Sequence, residues 1–227
     1  MIIPERKLYG RNKGHKLSVR QTELSETLLP RLRIDLSIPA PEDISTLFEV
    51  PVSEIHFEIG FGGGEHLAWQ AGRKPNTGFI GCEPFVNGVA KLLMQVEDDE
   101  LNNVRVFDDD ARFILDWLPE GCIDHMYILF PDPWHKKRHH KRRFVSTENL
   151  DKLARVLKKG AQLYLATDIG DYMRSSLIAF TSHNQFLWID ECVSDWRQRP
   201  DNRPVTRYEQ KAFDAARKPA YLTFVRR

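Results

Sequence analysis

Five short apolar runs alternate with segments of helical periodicity along this chain, and this alternation limits the folds open to it more than any other feature. The runs lie at 55–60, 79–83, 104–107, 123–130 and 162–167. Strands that alternate with helices form a mostly parallel sheet. Weaker apolar runs at 186–189 and 221–225 would add two edge strands. The sequence therefore predicts a Rossmann-like α/β fold with a mostly parallel, seven-stranded sheet and helices on both faces.

The first 50 residues lack this alternation. Residues 1–20 are basic, with Glu5 as their only acid, and Pro39, Pro41 and Pro51 follow. We predict a basic N-terminal arm and connector at 1–50 and a single domain at 51–227. On composition alone, a solvated tail and an RNA-contacting arm explain the basic segment about equally well.

A glycine-rich turn follows the first apolar run, in the order Glu58-Ile59-Gly60-Phe61-Gly62-Gly63-Gly64-Glu65-His66. Glycines allow a tight turn and the close approach of a nucleotide-like ligand. A dinucleotide fingerprint would need a third glycine where Glu65 stands, and its carboxylate would repel a pyrophosphate. S-adenosylmethionine carries no phosphate and is cationic at sulfur and at its amino group. The turn therefore favours S-adenosylmethionine over NAD.

Acidic residues end the next two apolar runs. Glu83 lies about 20 residues beyond the glycine-rich turn, where a carboxylate can accept hydrogen bonds from both hydroxyls of a ribose. Asp110 follows the third run and is placed to accept from an adenine amino group. For Asp110, an N-cap of the helix that begins at Ala111 is an alternative of nearly equal weight.

Two prolines enclose one carboxylate directly after the fourth run, in Pro131-Asp132-Pro133-Trp134. Prolines restrict the backbone, and the carboxyl ends of strands are where open α/β sheets bind ligands. We therefore predict that Asp132 is the catalytic residue. Trp134 offers a stacking surface for a base.

Six cations and no acid follow at 136–143, although the net charge of the whole chain is only +1. A solvated surface or a localisation signal is the alternative for such a run. Its position beside the predicted catalytic residue favours binding of RNA phosphates. The histidines in this stretch lack a cysteine or a helix-spaced carboxylate as partner, so we predict no metal site.

The motifs E-I-G-F-G-G-G-x-H, G-C-E-P-F, F-P-D-P-W-x-K-x-R-H-x-K-R-R, A-T-D-x-x-D-Y and T-x-Y-E together resemble those of the bacterial tRNA (guanine-N7)-methyltransferases, from Tyr9 onward. The resemblance implies a class I methyltransferase fold. It also implies transfer of the methyl group of S-adenosyl-L-methionine to N7 of guanine 46 in the variable loop of tRNA, with S-adenosyl-L-homocysteine as the product.

The resemblance also implies roles for individual residues. Cofactor binding falls to Glu58, Gly60, Glu83, Asp110 and Asp132. Substrate contacts fall to Lys136, Asp168, Thr206, Arg207, Tyr208 and Glu209. RNA contacts fall to Arg138, His139, His140, Lys141, Arg142 and Arg143. The chain departs from the family at Ala212 and Ala216, where many members have glycine.

Three other functions explain part of the sequence. A small-molecule methyltransferase would use the glycine-rich turn and Glu83, but it would leave the basic run without a purpose. A non-catalytic RNA-binding adaptor would have no need for the full set of cofactor acids. An NAD-dependent oxidoreductase fits the glycine-rich turn least well.

The composition predicts a cytoplasmic protein. No apolar stretch approaches the ~20 residues of a membrane span, and the N-terminus lacks a secretory signal. Cys82, Cys122 and Cys192 lie far apart, as expected in a reducing compartment. We expect tRNA as the partner and no membrane association. The oligomeric state stays open, with a monomer favoured.

Overall fold

The computed structural model describes residues 10, 12–201 and 203–227. The chain divides into two compact units, Met1–Pro119 and Glu120–Arg227. Residues 1–9 and 11 of the predicted arm lie outside the described residues, and so does Tyr9, where the family resemblance begins. None of the described helices combines the length and apolar character that a membrane crossing needs.

Three parallel strands form the centre of the first unit, in the order β3-β2-β1. The strands are β1 (Glu54–Ile59), β2 (Thr77–Cys82) and β3 (Val104–Phe107). The helices are α1 (Val19–Thr27), α2 (Leu29–Leu32), α3 (Glu65–Arg73), α4 (Val86–Asp98) and α5 (Ala111–Trp117), with a 3₁₀ helix at Ile44–Leu47. Every residue of β2 and β3 is buried, which explains why both strands are continuous apolar runs in the sequence.

The second unit contains four strands in the order β4-β5-β7-β6. The strands are β4 (Ile123–Leu129), β5 (Leu157–Thr167), β6 (Phe186–Trp188) and β7 (Ala220–Arg226). The helices are α6 (Thr147–Val156), α7 (Gly170–Thr181), α8 (Val193–Arg197) and α9 (Arg207–Asp214), with a 3₁₀ helix at Lys137–Arg142. β4 and β5 pair in parallel, whereas β7 runs antiparallel to both of its neighbours.

The strands and helices confirm the predicted Rossmann-like α/β class with seven mostly parallel strands. All five predicted strands are present, and the two weaker apolar runs form β6 and β7. β5 is longer than its apolar run because it begins at Leu157, where α6 passes directly into the strand.

The sequence pattern indicates no helix before residue 51, yet the described part of this stretch contains α1 and α2. A capping box between Ser18 and Gln21 begins α1. Leu24 is its only buried residue, so the apolar repeat was too sparse to indicate a helix. Leu29 and Leu32 of α2 join Leu24 in the apolar core of the first unit.

Candidate active site

The glycine-rich turn connects β1 to α3 in the first unit. Gly60, Gly62 and Gly64 have φ angles of 71°, 58° and 83°, a region that residues with a side chain rarely adopt. The N–H of Gly60 donates to the carbonyl oxygen of Cys82 at 2.8 Å. The N–H of Gly62 donates to Oε2 of Glu83, also at 2.8 Å. The turn is therefore held against the carboxyl end of β2.

The N-terminal end of α4 closes the other side of this turn. A Cβ atom built on Gly88 would lie 2.2 Å from the carbonyl oxygen of Gly62 and 3.2 Å from Cγ of Glu83. These distances leave no room for a side chain at position 88. The geometry around Glu83 thus depends on a glycine that lies outside the glycine-rich motif itself.

Two buried carboxylates lie at the carboxyl ends of β1 and β2. Oε2 of Glu58 lies 2.7 Å from Nδ1 of His66, the last residue of the glycine-rich motif. Oε1 of Glu83 accepts from the N–H of Phe85 at 2.9 Å. A pair of buried acids suits a cationic ligand with a ribose and disfavours a phosphate. The two buried carboxylates therefore fit the predicted cofactor.

Asp110 is the N-cap of α5, which is the alternative that the sequence left open. Its Oδ1 accepts from the N–H of Arg112 at 2.9 Å, and the guanidinium of Arg112 pairs with both carboxylate oxygens. Arg112 makes two contacts with each carboxylate oxygen, so an adenine amino group would have to share an oxygen of Asp110 with Arg112. The adenine contact stays a prediction.

The loop after β4 places Asp132 in the second unit. Phe130 and Trp134 have φ angles of 52° and 46°, which are unusual for bulky residues. Such backbone outliers cluster at functional sites. The loop between them contains both prolines, so its backbone has little freedom. Asp132 accepts no hydrogen bond from any described residue. Solvent reaches its carboxylate, but the surrounding atoms desolvate it in part and raise its pKa above the usual value.

An open cavity of about 370 Å³ lies beside this loop. Its walls are formed by Asp132, Pro133, Trp134, His135, Lys136 and His139. The guanidinium of Arg142 lies over the Trp134 ring, 5.0 Å from its centroid, and His139 meets the ring edge-on at 6.0 Å. Partial desolvation, followed by the charges of the neighbouring cations, lowers the pKa of His139. The cavity thus combines one acid, one aromatic face, one lysine and two histidines.

Arg143 differs from the rest of the basic run because its side chain is buried. Its Nε donates to the carbonyl oxygen of Pro133 at 2.9 Å, and its Nη1 donates to Oγ of Ser175 at 2.9 Å. Its Nη2 donates to Asp171 at 2.5 Å and lies 3.1 Å from Nε2 of His140. These contacts direct its N–H groups to protein acceptors, and a contact of Arg143 with RNA stays a prediction. Its bond to Pro133 ties the Arg143 side chain to the Asp132 loop.

The other predicted RNA contacts are more accessible. Arg138 and Lys141 are exposed, whereas His139, His140 and Arg142 are half-buried. Lys136, a predicted substrate contact, is also exposed. Their contacts with RNA stay predictions.

The T-x-Y-E motif begins α9. Thr206 and Glu209 form its capping box. Glu209 is buried, and its Oε1 accepts from Nε of Arg199 at 3.1 Å and from the hydroxyl of Tyr221. Arg207 and Tyr208 instead face solvent. The motif therefore supplies two residues that fix the helix and two that are open to a substrate.

Asp168 follows β5 and pairs with the guanidinium of Arg217. Among the three second-unit acids assigned to the substrate or cofactor, Asp168 and Glu209 each have a protein partner. Asp132 stands apart, because no described residue donates a hydrogen bond to it.

Comparison with known proteins places the chain in a family. A family model described as "Putative methyltransferase" matches residues 53–221. The tRNA (guanine-N(7)-)-methyltransferase of Brucella abortus (strain 2308) is 50% identical over 219 residues, which cover 96% of this chain and 94% of that protein. The enzyme of the same name from Agrobacterium fabrum is 52% identical, with the same coverage. The chain belongs to the bacterial tRNA (guanine-N7)-methyltransferase family.

Solved structures extend the comparison at the level of fold. An rRNA methylase from Streptococcus thermophilus matches with a TM-score of 0.54 and 13% identity over 78% of this chain and 89% of that chain. A putative methyltransferase from Streptococcus mutans, in complex with SAH, matches with a TM-score of 0.53 and 12% identity over 93% of this chain and all of that one. At these identities the likeness shows the class I methyltransferase fold alone. Family membership confirms the predicted enzyme class and S-adenosylmethionine as its cofactor.

In this family member, the sequence did not predict the close packing of Gly88 on Gly62 or the buried contacts of Arg143. Gly88 could have been suspected from its place four residues after Gly-Cys-Glu-Pro, but its contact with Gly62 depends on the packing of α4. Arg143 has the same residue type as its exposed neighbours. The partners that distinguish it, Asp171 and Ser175, lie on α7 about 30 residues further along the chain.

We expect Arg143→Ala to lower the kcat of methyl transfer at least tenfold, because the Pro133 carbonyl loses the donor that fixes the Asp132 loop. The free energy of unfolding should fall by about 1–3 kcal/mol as buried acceptors lose their partner. The salt dependence of tRNA binding should be unchanged. Kinetics, urea denaturation and tRNA binding at several salt concentrations measure the three quantities.

Arg138→Ala is the matched comparison, since Arg138 is exposed in the same run. It should lower the slope of log K against log salt by about 1 and leave kcat unchanged. If Arg143→Ala lowered the slope of log K against log salt and left kcat normal, Arg143 would be an RNA contact and not a support of the Asp132 loop.

The C-terminal end of α9 forms a Schellman motif with an alanine at the position that usually holds glycine. The N–H of Arg217 donates to the carbonyl of Ala212 at 2.9 Å, and the N–H of Ala216 donates to that of Phe213 at 2.8 Å. Ala216 has a φ of 52°. This is one of the two positions at which the sequence departs from many family members.

We expect Ala216→Gly to raise the free energy of unfolding by about 0.5–1 kcal/mol. Removing a left-handed alanine stabilises the fold by about 1–2 kcal/mol, and the greater backbone entropy of glycine in the unfolded chain offsets part of this stabilisation. Urea denaturation measures the change. Ala215→Gly is the control: its φ of −91° needs no glycine, so this variant should be destabilised. Equal losses in both variants would show that the alanine at 216 is not strained.

Proposed function

We propose that this chain transfers the methyl group of S-adenosylmethionine to N7 of guanine 46 in tRNA, acting in the cytoplasm as a monomer without a metal. The observation that carries the proposal is Asp132. A partly desolvated carboxylate that accepts no hydrogen bond from the described residues lies in a rigid loop, beside an aromatic ring and a basic run. The names of the relatives support tRNA and the N7 position of guanine as the target.

The first unit would bind the cofactor, which supplies an electrophilic methyl group on a sulfonium. Glu83 would accept from the ribose hydroxyls, and Glu58 would lie near the cationic methionine end. Asp110 would accept from the adenine amino group. The close packing of Gly88 on Gly62 restricts movement of the turn and Glu83, which would reduce the cost of reorganisation when the cofactor binds.

Asp132 would act as a charge stabiliser and as a guanine selector. N7 of guanine carries an in-plane lone pair, so no base has to remove a proton from the attacking atom. Positive charge develops on the imidazole ring as the methyl group is transferred, and a fixed carboxylate stabilises that charge. Because Asp168 and Glu209 already have protein partners, Asp132 is the best candidate to accept from the guanine N1 or amino edge.

The basic run would hold the RNA while the target base is exposed. N7 is poorly accessible in the deep major groove of an RNA helix, so the base has to leave the stack at a cost of a few kcal/mol. Phosphate contacts of the exposed cations, together with stacking on Trp134, would offset this cost. A small-molecule methyltransferase would have no use for these groups.

The proposal is tested by incubating the protein with labelled S-adenosylmethionine and bulk tRNA, followed by chemical cleavage at N7-methylguanosine. A single tRNA transcript with guanine 46 replaced by adenine is the control. We expect cleavage at position 46 of the normal transcript and no label in the control. Label confined to small molecules would reject tRNA as the substrate, and label in the control transcript would reject position 46.

A further inference from the structure

The described N-terminal segment Asn12–Lys16 is attached to the start of α4 by its backbone. The carbonyl of Asn12 accepts from the N–H of Val86 at 3.0 Å. The side chain of Asn87 accepts from the N–H of Gly14 at 2.7 Å and donates to the carbonyl of His15 at 2.8 Å. One amide side chain thus holds two consecutive residues of the segment.

The segment fits closely against this end of α4. A Cβ atom on Gly14 would lie 2.9 Å from Oδ1 of Asn87 and 3.0 Å from Cζ of Phe85. Further along, Arg20 donates from Nε to Glu97 at 3.1 Å and also pairs with Asp98. The chain from residue 12 to residue 20 therefore follows α4 from its first turn to its last, and Arg20 pairs with two acids at the far end.

Its side chains contribute nothing to the core. Residues 12–16 are all exposed. Within the described part of the chain, neither Lys13 nor Lys16 forms an ion pair. Attachment through the backbone leaves both ammonium groups directed to solvent, next to the uncharged end of α4. A segment ordered in this way has already lost the backbone entropy that a free tail would lose on binding RNA.

The place of attachment connects the segment to the cofactor loop. Phe85 and Val86 lie two and three residues after Glu83, and the N–H of Phe85 donates to the Glu83 carboxylate. Methyl transfer requires the guanine to reach the cofactor, so the tRNA backbone has to pass close to this loop. Cations fixed here are well placed to meet its phosphates.

We propose that Lys13 and Lys16 form a tRNA-phosphate contact separate from the basic run at 136–143, and that Asn87 is the positioning residue that holds it. The inference rests on the proposed function, because it takes tRNA as the substrate. It also gives the basic arm a defined contact, which composition alone did not.

The experiment measures tRNA binding between 50 and 200 mM salt for the full chain with bound S-adenosylhomocysteine. Lys13→Ala/Lys16→Ala should lower the slope of log K against log salt by about 2, so that its affinity deficit shrinks about tenfold across this range. Asn87→Ala should lower the slope in the same direction. Adding Asn87→Ala to the double lysine variant should cause little further loss, since the two changes remove the same contact.

The charge-matched control is Lys74→Ala/Lys159→Ala, which removes two exposed lysines elsewhere. An equal change of slope in this control would show a net-charge effect and overturn the proposal. An unchanged slope in Lys13→Ala/Lys16→Ala would overturn it too, and strict additivity with Asn87→Ala would remove Asn87 from the contact. Thermal unfolding checks that Asn87→Ala stays folded. Failure of the wild-type protein to methylate tRNA would reject the proposed function, whereas normal methylation with unchanged salt slopes would reject only this inference.

Discussion

Asp132→Asn is expected to lower methyl transfer to tRNA by about 10²–10³-fold, the cost of losing one preorganised electrostatic group at the reacting atoms. The same variant should be at least as stable as the wild-type protein. The carboxylate is partly desolvated and accepts no hydrogen bond from a described residue, so its pKa is raised. A raised pKa means that folding disfavours the charged form, and removal of the charge removes that cost. Single-turnover kinetics and thermal unfolding measure the two effects.

The raised pKa of Asp132 sets how stability and turnover should depend on pH. A carboxyl with a raised folded-state pKa lowers stability as pH rises from the unfolded pKa through the folded pKa, and the penalty persists above that window. Asp132→Asn should therefore gain stability relative to wild type at neutral pH and match it at acid pH. Wild-type turnover should fall as the pH is lowered through the raised pKa of Asp132, because the ionised form stabilises the developing charge.

Asp99→Asn is the matched control, since Asp99 is an exposed acid at the end of α4. It should change neither activity nor stability. The free energy of unfolding of Asp132→Asn could instead fall by as much as its activation free energy for methyl transfer rises. That result would show a structural role for Asp132. Unchanged turnover would remove Asp132 from the reaction.

Gly88→Ala is expected to weaken binding of S-adenosylmethionine by about 5- to 150-fold, corresponding to the 1–3 kcal/mol that overpacking a close contact costs. The added Cβ would lie 2.2 Å from the carbonyl oxygen of Gly62. Either α4 or the turn has to move, which should distort the hydrogen bond from Gly62 to Glu83. Isothermal titration calorimetry measures the affinity, and urea denaturation measures the cost to folding.

Gly72→Ala is the control for the same chemical change. A Cβ atom at position 72 would lie 3.6 Å from Cδ2 of Leu101, an ordinary contact. Alanine is the better helix former, so this variant should bind the cofactor normally and gain up to about 1 kcal/mol in stability. Normal cofactor affinity in Gly88→Ala would show that the turn accommodates the extra atom and that its geometry is not fixed by α4.

The sequence predicted those features that depend on neighbours along the chain. Strands such as β2 are buried on both faces, so their apolar runs are visible without a structure. Glu83 was found from its distance to the glycine-rich turn, and Asp132 from the prolines beside it. Each of these signals lies within about 20 residues.

The features that the sequence did not predict depend on contacts between distant segments. α1 buries only Leu24 and was therefore invisible as an apolar repeat. Asn87 holds a backbone segment more than 70 residues away, and no pattern of residue types indicates such a contact. Arg143 and Arg138 are the same residue type in the same basic run, and only the contacts of Arg143 with α7 distinguish the two.

The burial of Arg143 has a consequence for how the basic run tolerates change over evolution. A phosphate contact needs only a positive charge, so lysine and arginine should replace one another freely at 138 and 141. The contacts of Arg143 need several N–H groups at fixed angles, which the single ammonium of lysine does not supply. Drift along this stretch should therefore be uneven, with an invariant arginine next to interchangeable cations.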